Sequence, residues 1–372
     1  MGEEFCREKS LWVWLKSLQL YRNEERLLLL RADEDIEKLY ELICVKDPGL
    51  DVLNGEKKSL LLAKACQSEI DRASERLAAQ GIGVLLRTER DFPHSMHHVQ
   101  LPPELLYWRG NRAIFSRQNT LGVVGTREAT PYGERITRAC VFELAERGIC
   151  IVSGLARGID GIAHRAALDG EGDTIAVLAG GLDKVYPLEN RELFAKIVEK
   201  GLLVSENPPG HPIRNFSAPQ RNRLIAALSK ALFIPQASIK SGTRYTIDAA
   251  LDLGLDVYAL PGPVDDPMSA LPNFLIQNGS RIVLEAKDIL ESYGGDFSLE
   301  EFAGKPEAKP AEIDLTGEEK TVYLILQEEP CSVDDLIMKG KMSVPQLLIN
   351  LTKLEQKNMI HKEASDNRFY IR

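Results

Sequence analysis

Between residues 121 and 284 the chain alternates short aliphatic runs with stretches of helical spacing. Short runs rich in Val, Ile and Leu are typical of strands buried on both faces of a parallel sheet. The predicted strands are 121–124, 149–153, 174–178, 202–205, 231–234, 256–260 and 281–284. The predicted helices begin near Tyr132, Ile159, Asn190, Gln220, Thr243 and Pro272. This alternation predicts an α/β fold, with a mostly parallel sheet and helices on both faces.

Different patterns flank this region on both sides. Before it, helical spacing recurs at 11–20, 25–30, 36–43 and 60–79, and extended segments follow at 82–86 and 104–108. After it, three helical segments at 318–326, 333–338 and 344–356 precede short strands at 359–361 and 368–371, which is the winged-helix order. We therefore predict a helical domain over 1–85, a sheet core over 86–292, a Gly- and Pro-containing linker over 293–316 and a winged helix over 317–372.

Charge is distributed unevenly along the 372 residues. The formal net charge is -9, yet no aspartate or glutamate lies between Glu206 and Asp248. This acid-free interval contains Arg214, Arg221, Arg223, Lys230, Lys240 and Arg244. A basic stretch without carboxylates keeps a positive potential that attracts phosphates and polyanions. The alternative is a run of solvated surface bases, the commoner origin of a short basic run.

Several classes of protein and site are disfavoured. The N-terminus lacks a secretory-signal pattern, and no apolar run is long enough to span a bilayer. The six cysteines are scattered without a C-x-x-C pair, so neither a zinc site nor a disulfide framework is indicated. His94, His97 and His98 lack carboxylate or cysteine partners at metal-binding spacing. We expect a cytoplasmic protein that needs no metal or cofactor and does not contact a membrane.

Turns that contain glycine follow the predicted strands, so they should gather at the carboxyl edge of the sheet, where ligands of such folds bind. Gly125 and Arg127 follow the first strand, and Thr130 is the expected N-cap of the next helix. Amides at a helix start and an arginine fork can together bind a phosphate. A plain turn with Arg127 in an internal ion pair is the alternative, and this motif leaves both open.

The loop after the second strand brackets an arginine with glycines: Ser153, Gly154, Arg157 and Gly158. Its amides could cradle a phosphate, or Asp160 could simply cap the following helix. His164 is more typical of a packed, hydrogen-bonded histidine than of a catalyst. After the third strand, Lys184 could meet a phosphate, while Tyr186 could stack on a base or pack under Pro187.

The acid-free interval supplies the last two loops. Phe216, Arg221, Asn222 and Arg223 follow the fourth strand, and Lys240, Ser241 and Gly242 follow the fifth. Cations that pair with phosphates, beside a ring that stacks on bases, are what binding of single-stranded nucleic acid requires. Phe216 could instead anchor the core, which the polar loop around it disfavours. Complete G-x-x-x-x-G-K-[ST] and G-x-G-x-x-G motifs are absent, so ATP hydrolysis and NAD binding are unsupported.

At these residues the chain resembles the DprA/Smf family, the DNA-processing proteins of natural transformation. The matching segments are 123–133, 153–168, 175–193, 221–229, 241–262 and 273–280. The resemblance implies an extended Rossmann-like core, an N-terminal SAM-like helical domain and a C-terminal winged helix. It also implies a non-enzymatic protein that binds single-stranded DNA, forms homodimers through the core and helps load the RecA recombinase during DNA uptake.

Carried onto matching positions, the resemblance implies DNA contacts at Arg127, Ser153, Gly154, Arg157, Gly158, Lys184, Arg221, Asn222, Arg223, Ser241 and Gly242. The loop chemistry adds Phe216 and Lys240 to this predicted site. The sequence departs from the family where Leu271 replaces a usual glycine and Gln236 replaces a usual acidic residue.

Two alternatives remain. A nucleotide-processing enzyme of the phosphoribohydrolase type has a similar core, but of its P-G-G-x-G-T-x-x-E motif only the partial match at 261–263 is present. A reader of duplex DNA would act through the winged helix, whose recognition helix at 344–356 offers Lys353 alone. We therefore expect the winged-helix domain to contact a protein or to modulate the dimer.

Overall fold

The structure, a computed structural model, describes residues 6–19, 35–48, 50, 53, 55–213, 216–293, 317–328, 331–340, 342–356, 359–362 and 368–371. Its contacts divide the chain into two compact units, residues 1–296 and residues 297–372, which are described separately. The helix predicted at 25–30 and nearly all of the predicted linker lie outside the described residues. No helix in the described ranges is both long enough and apolar enough to cross a membrane.

The described helices that precede the sheet are α1 (Arg7–Ser17), α2 (Ile36–Cys44), α3 (Gly55–Lys64) and α4 (Gln67–Ala79). The single helix predicted over 60–79 is wrong, because the chain is extended at Cys66. The indole of Trp14 donates to the carbonyl of Lys64, the last residue of α3, at 2.8 Å. A contact from α1 therefore satisfies the end of α3, which the local sequence does not reveal.

The strands of the first unit are β1 (Gly83–Leu86), β2 (Leu105–Gly110), β3 (Thr120–Val123), β4 (Cys150–Ser153), β5 (Thr174–Val177), β6 (Leu202–Ser205), β7 (Ala231–Ile234), β8 (Asp256–Ala259) and β9 (Arg281–Ile282). Within the described residues they form one sheet in the order β1-β2-β6-β5-β4-β3-β7-β8-β9. β1 and β2 pair antiparallel, and all pairings from β6 to β9 are parallel. The predicted mostly parallel sheet is confirmed, and the predicted domain boundaries stay predictions.

The helices that accompany the sheet are α5 (Pro131–Glu146), α6 (Ile159–Asp169), α7 (Arg191–Lys200), α8 (Ser217–Ala227), α9 (Thr243–Asp252), α10 (Ala270–Gln277) and α11 (Ala286–Leu290). Thr130 caps α5 as predicted, because its hydroxyl accepts from the amide of Gly133 at 3.2 Å. The chain steps outward from β3 to β6 and then crosses to β7 on the other side of β3. Ligands of open α/β sheets bind at such a switch point.

The second unit contains α12 (Gly317–Glu328), α13 (Val333–Gly340), α14 (Val344–Gln356), β10 (Ile360–Lys362) and β11 (Phe369–Ile371). The two strands pair antiparallel. Leu336, Leu347 and Leu351 belong to a separate apolar core that this unit builds for itself. The predicted order of three helices and a β-ribbon is confirmed.

Candidate nucleic-acid interface

The loops that leave the carboxyl ends of β6, β5, β4, β3 and β7 lie side by side, because these strands are neighbours in the sheet. We call these loops the rim; they comprise 206–213, 178–190, 154–158, 124–130 and 235–242. At the switch point the amide of Thr126 donates to the carbonyl of Gln236 at 2.7 Å. The amide of Ile159 in turn donates to the carbonyl of Thr126 at 3.1 Å. Backbone hydrogen bonds thus hold the three central loops against one another.

Arg221 lies inside the protein, directly behind the rim. It is 5% exposed, and its Nη1 donates to the carbonyl of Gly154 at 2.7 Å and to that of Val177. A Cβ added at Gly154 would overlap the guanidinium, so this position requires glycine for the close approach. Arg221 therefore ties the loops after β4 and β5 to each other.

The carboxylate of Asp160 balances the buried charge of Arg221. It accepts from the amides of Gly154 and Ala156 at 3.2 and 3.4 Å, so it ties the loop to the first turn of α6. Burial raises the pKa of Asp160, and Arg221 opposes that rise. Burial and the charge of Arg127 lower the pKa of Arg221 to about 10, although Asp160 acts against them. The guanidinium therefore stays charged at neutral pH, close to Arg127.

Asn190 connects the loops after β4 and β5. It is 3% exposed, and its Nδ2 donates to the carbonyls of Leu155 and Ala156, both at 3.1 Å. Arg165 donates to its Oδ1 at 2.8 Å. Sequence analysis missed this function, because an asparagine just before a helix is typical of an ordinary turn. The only available signal was the neighbouring start of a helix.

Among the predicted site residues, exposed positions on or beside the rim are Arg127, Arg157, Lys184, Phe216, Lys240 and Gly242. Arg157 forms an exposed ion pair with Glu189 at 3.3 Å. Gly158 directly precedes α6 with a φ of 68°, and its Cα packs against the backbone of Arg127. The exposure of Phe216 argues against its being a core anchor. The structure thus gathers Arg127, Arg157 and Arg221 at one edge.

Other predicted site residues stabilise the rim from within. The hydroxyl of Ser153 donates to the carbonyl of Val123 at 2.6 Å. Asn222 donates weakly to the carbonyl of Gly242 at 3.5 Å. The hydroxyl of Ser241 accepts from the amide of Thr243 at 3.2 Å, at the start of α9. Whether these residues contact DNA stays a prediction.

The acid-free interval does not form one continuous basic face. Arg223 donates to both carboxylate oxygens of Glu206, at 2.6 and 3.0 Å, so an ion pair within the protein occupies its guanidinium. Lys230 lies over the ring of Tyr293 at 4.9 Å, before β7 and hence at the opposite edge of the sheet. Lys240 and Arg244 are exposed, and Arg214 lies outside the described residues. The positive charge at the rim therefore comes from cations spread over several loops.

The contacts of the histidines indicate neither a catalytic nor a metal site in the described residues. His164 is packed as predicted: its Nδ1 lies 2.7 Å from Oγ1 of Thr174, and burial lowers its pKa to about 3. The rings of His94 and His98 have their centroids 5.0 Å apart. No group of three or more His, Cys, Asp or Glu in the described part of the chain is arranged to hold a metal ion.

Comparison with known proteins identifies relatives across both units. The family model for DNA recombination-mediator protein A matches residues 83–294, and the model for the DprA winged helix domain matches residues 306–364. The DNA processing protein DprA of Bacillus subtilis (strain 168) is 34% identical over 256 residues, which cover 66% of this chain and 86% of that protein. Protein Smf of Escherichia coli (strain K12) is 39% identical over 258 residues, 68% of each chain.

Two solved structures share the fold. The X-ray structure of DprA from Streptococcus pneumoniae gives a TM-score of 0.64 at 28% identity and covers 80% of this chain and 100% of that one. The structure concerned with the single-stranded DNA binding mode of DNA processing protein A from Helicobacter pylori gives 0.53 at 28% identity, and covers 58% of this chain and 97% of that one. The extended Rossmann-like α/β core with a winged helix is thereby confirmed. The chain belongs to the DNA recombination-mediator protein A (DprA/Smf) family, whose curated members include the DNA processing protein DprA.

Proposed function

We propose that this protein binds single-stranded DNA along the rim without cleaving it. One observation carries the proposal: the loops after β3, β4 and β5 are neighbours and carry the exposed cations Arg127, Arg157 and Lys184 at one edge of the sheet. A flexible strand can present successive phosphates to cations placed in this way. The Helicobacter pylori relative, whose structure concerns single-stranded DNA binding, supports the same assignment.

Single strands fit this edge better than duplexes do. Phe216 is 55% exposed beside the rim, where an unpaired base can stack on its ring and a paired base cannot. The cations lie on separate loops and can follow a flexible backbone. We therefore expect weaker binding of duplex than of single-stranded oligonucleotides.

Binding without catalysis is supported by the state of two buried polar side chains, Ser153 beside the rim and His164 next to the first residue of β5. The hydroxyl of Ser153 is committed to the carbonyl of Val123, and His164 is fully buried against Thr174. A nucleophile must pass its proton to a base, but the Ser153 hydroxyl already donates to a carbonyl and His164 faces a threonine. Release of free base from nucleoside monophosphates would instead favour the phosphoribohydrolase alternative.

The assembly and partner are part of the same proposal. Family resemblance supports a cytoplasmic homodimer formed through the core, which helps load RecA onto the bound strand. Phe274 and Leu284, near the edge strand β9, are 50% and 69% exposed and are suited to such an interface. Phe274→Arg should shift the protein from dimer to monomer in analytical ultracentrifugation, whereas a monomeric wild type would contradict this part of the proposal.

A salt titration tests the proposed function directly. If about four phosphates are neutralised, the logarithm of affinity for a single strand should fall with the logarithm of salt concentration at a slope of about -3. Fluorescence anisotropy with a labelled oligonucleotide measures this slope. A flat dependence on salt, or preference for duplex, would overturn the proposal.

A further inference from the structure

The side chain of Tyr186 is exposed, although the sequence of its loop is equally compatible with a buried ring. It lies between β5 and α7 and is 55% exposed, although the following Pro187 is buried. Packing under Pro187, one of the two outcomes considered for this tyrosine, would have covered the ring. An aromatic ring with this much free surface is available for contact with a ligand.

The loop that carries Tyr186 is held from one side by the loop after β6. The amide of Gly210 donates to Oδ1 of Asp183 at 2.9 Å. The backbone at Gly180 approaches Ile213 so closely that an added Cβ would lie 2.7 Å from its Cγ1. The two loops therefore pack directly against each other.

The same loop is held from its other side by the loop after β4. Asn190 donates to two carbonyls there, and Glu189 pairs with Arg157. Tyr186 thus lies on a segment that is held on both sides. Binding of a ligand to its ring therefore costs little conformational entropy of the loop. The loop after β6 leads towards Phe216 on one side, and Arg157 lies on the other.

The surroundings favour a nucleic-acid base as the group that covers this ring. Lys184, two residues earlier, is exposed, as are Arg127 and Arg157 on the next loops. Cations beside an exposed ring match the alternating phosphates and bases of a single strand. An apolar protein partner would gain nothing from these charges and would have to desolvate them.

We propose that Tyr186 is a second base-stacking position, on the loop next to the one that leads to Phe216. The inference rests on the proposed function, since it extends the path of the same strand. Neighbouring strands of a sheet are about 4.8 Å apart, so the loops after β5 and β6 lie within the reach of adjacent nucleotides. A base stacked on Tyr186 leaves its phosphates free to contact Lys184 and Arg157.

Two variants and two oligonucleotides test this position. Tyr186→Ala should weaken binding of a thymidine oligonucleotide by about five- to hundredfold, the range for loss of one stacked base. Tyr186→Phe keeps the ring and should bind within about twofold of wild type, since the hydroxyl adds nothing to stacking. An oligonucleotide of the same length made of abasic sites retains the phosphates, and Tyr186→Ala should bind it as wild type does.

Leu188→Ala is the matched control, because Leu188 is 74% exposed on the same loop but has no ring. It should bind both oligonucleotides as wild type does. Equal losses in Leu188→Ala and Tyr186→Ala would overturn the inference, and so would an equal loss of Tyr186→Ala on the abasic strand.

The two proposals fail in distinguishable ways. If wild type does not bind single strands, the proposed function fails. If wild type binds and Phe216→Ala weakens binding while Tyr186→Ala does not, only the assignment of Tyr186 fails, and its ring is then free for a protein partner. Far-ultraviolet circular dichroism and urea unfolding of each variant verify that a loss of affinity is not a loss of fold.

Discussion

Arg127 and Arg221 are two arginines of the predicted site with opposite surroundings. Arg127 is exposed on the loop after β3, whereas Arg221 is buried and donates to the carbonyls of Gly154 and Val177. A buried cation whose charge is offset by a nearby buried carboxylate is costly to remove alone, because the carboxylate is left uncompensated. An exposed cation contributes little to folding but is free to meet a phosphate.

Arg221→Ala should therefore lower the free energy of unfolding by about 3–5 kcal/mol, since the buried charge of Asp160 is left uncompensated and two carbonyls lose their donor. Arg127→Ala, the matched control, should change it by less than about 0.5 kcal/mol. The same control should lower affinity for all single-stranded sequences alike and reduce the salt slope by about 0.7. Urea unfolding and anisotropy measure the two effects. Equal stability of both variants would show that Arg221 is not the internal tie described here.

His164 gives the protein a dependence on pH. Its pKa is about 3 in the folded state, because of burial, and about 6.5 in an unfolded chain. A base whose pKa is depressed by folding contributes full stability above the unfolded value and loses it as pH falls from about 6.5 towards 3. Stability should thus fall by about 2 kcal/mol between pH 7 and pH 5 on this account.

The variant His164→Gln removes this titration. Its urea unfolding should show a clearly smaller loss between pH 7 and pH 5 than wild type. Other groups, including Asp160, whose raised pKa acts in the opposite direction, are present in both proteins. Identical losses in the two proteins would exclude His164 as the source.

At the scale of elements, α6 and α9 both begin after a strand of the sheet and both are preceded by glycine. Gly158 has a φ of 68°, and a Cβ there would overlap the carbonyl of Thr126 and lie 2.7 Å from the carbonyl carbon of Arg127. Gly242 has a φ of -62°, and a Cβ there would meet no atom within 4 Å. Only the start of α6 therefore requires glycine.

Gly158→Ala should destabilise the protein by about 1–3 kcal/mol, through backbone strain and displacement of the adjacent loop. Gly242→Ala should instead stabilise it by about 0.4–1 kcal/mol, because alanine restricts the unfolded chain. Thermal unfolding of the two variants beside wild type measures the difference. A tolerated Gly158→Ala would mean that the loops after β3 and β4 are not held as closely as the structure has them.

The helices and strands could be predicted from the sequence where buried strands alternate with amphipathic helices. Short apolar runs such as the Ala-Leu-Phe-Ile of 231–234 are typical of a buried strand, and Thr130 with Pro131 specifies a helix start locally. The helix break at Cys66 could not be predicted from the sequence. The group that donates to the last carbonyl of α3 is the indole of Trp14, which is 50 residues away. The spacing of apolar residues within one segment cannot reveal a contact with a residue so distant in sequence.

At the scale of the whole molecule, the two compact units have separate apolar cores. In the second unit helix α14 carries Lys353, which pairs with Glu319 at 3.5 Å, while Leu348 and Ile349 are about half exposed. A helix with this surface is poorly suited to the phosphates of a duplex and better suited to a protein. Its predicted role in protein contact stays a prediction.

A fragment of residues 1–296 should fold and bind single-stranded DNA within about twofold of the full chain, because this unit has apolar cores of its own and contains the whole rim. A fragment of residues 316–372 should leave duplex DNA unbound at moderate salt. Circular dichroism and anisotropy test both statements. A large loss of affinity in the first fragment, or duplex binding by the second, would assign a DNA contact to the winged helix.

The sequence by itself determined the α/β order, the winged helix and the succession of glycine-containing loops, because periodicity, caps and strand composition act between near neighbours in the chain. Only the tertiary structure decided which cations face outward. Arg221 and Arg223 look alike in the sequence, yet Arg221 is buried behind Gly154, and Arg223 is half-buried and paired with Glu206. Exposure depends on what the rest of the chain packs against a side chain, and residues distant in sequence supply those contacts.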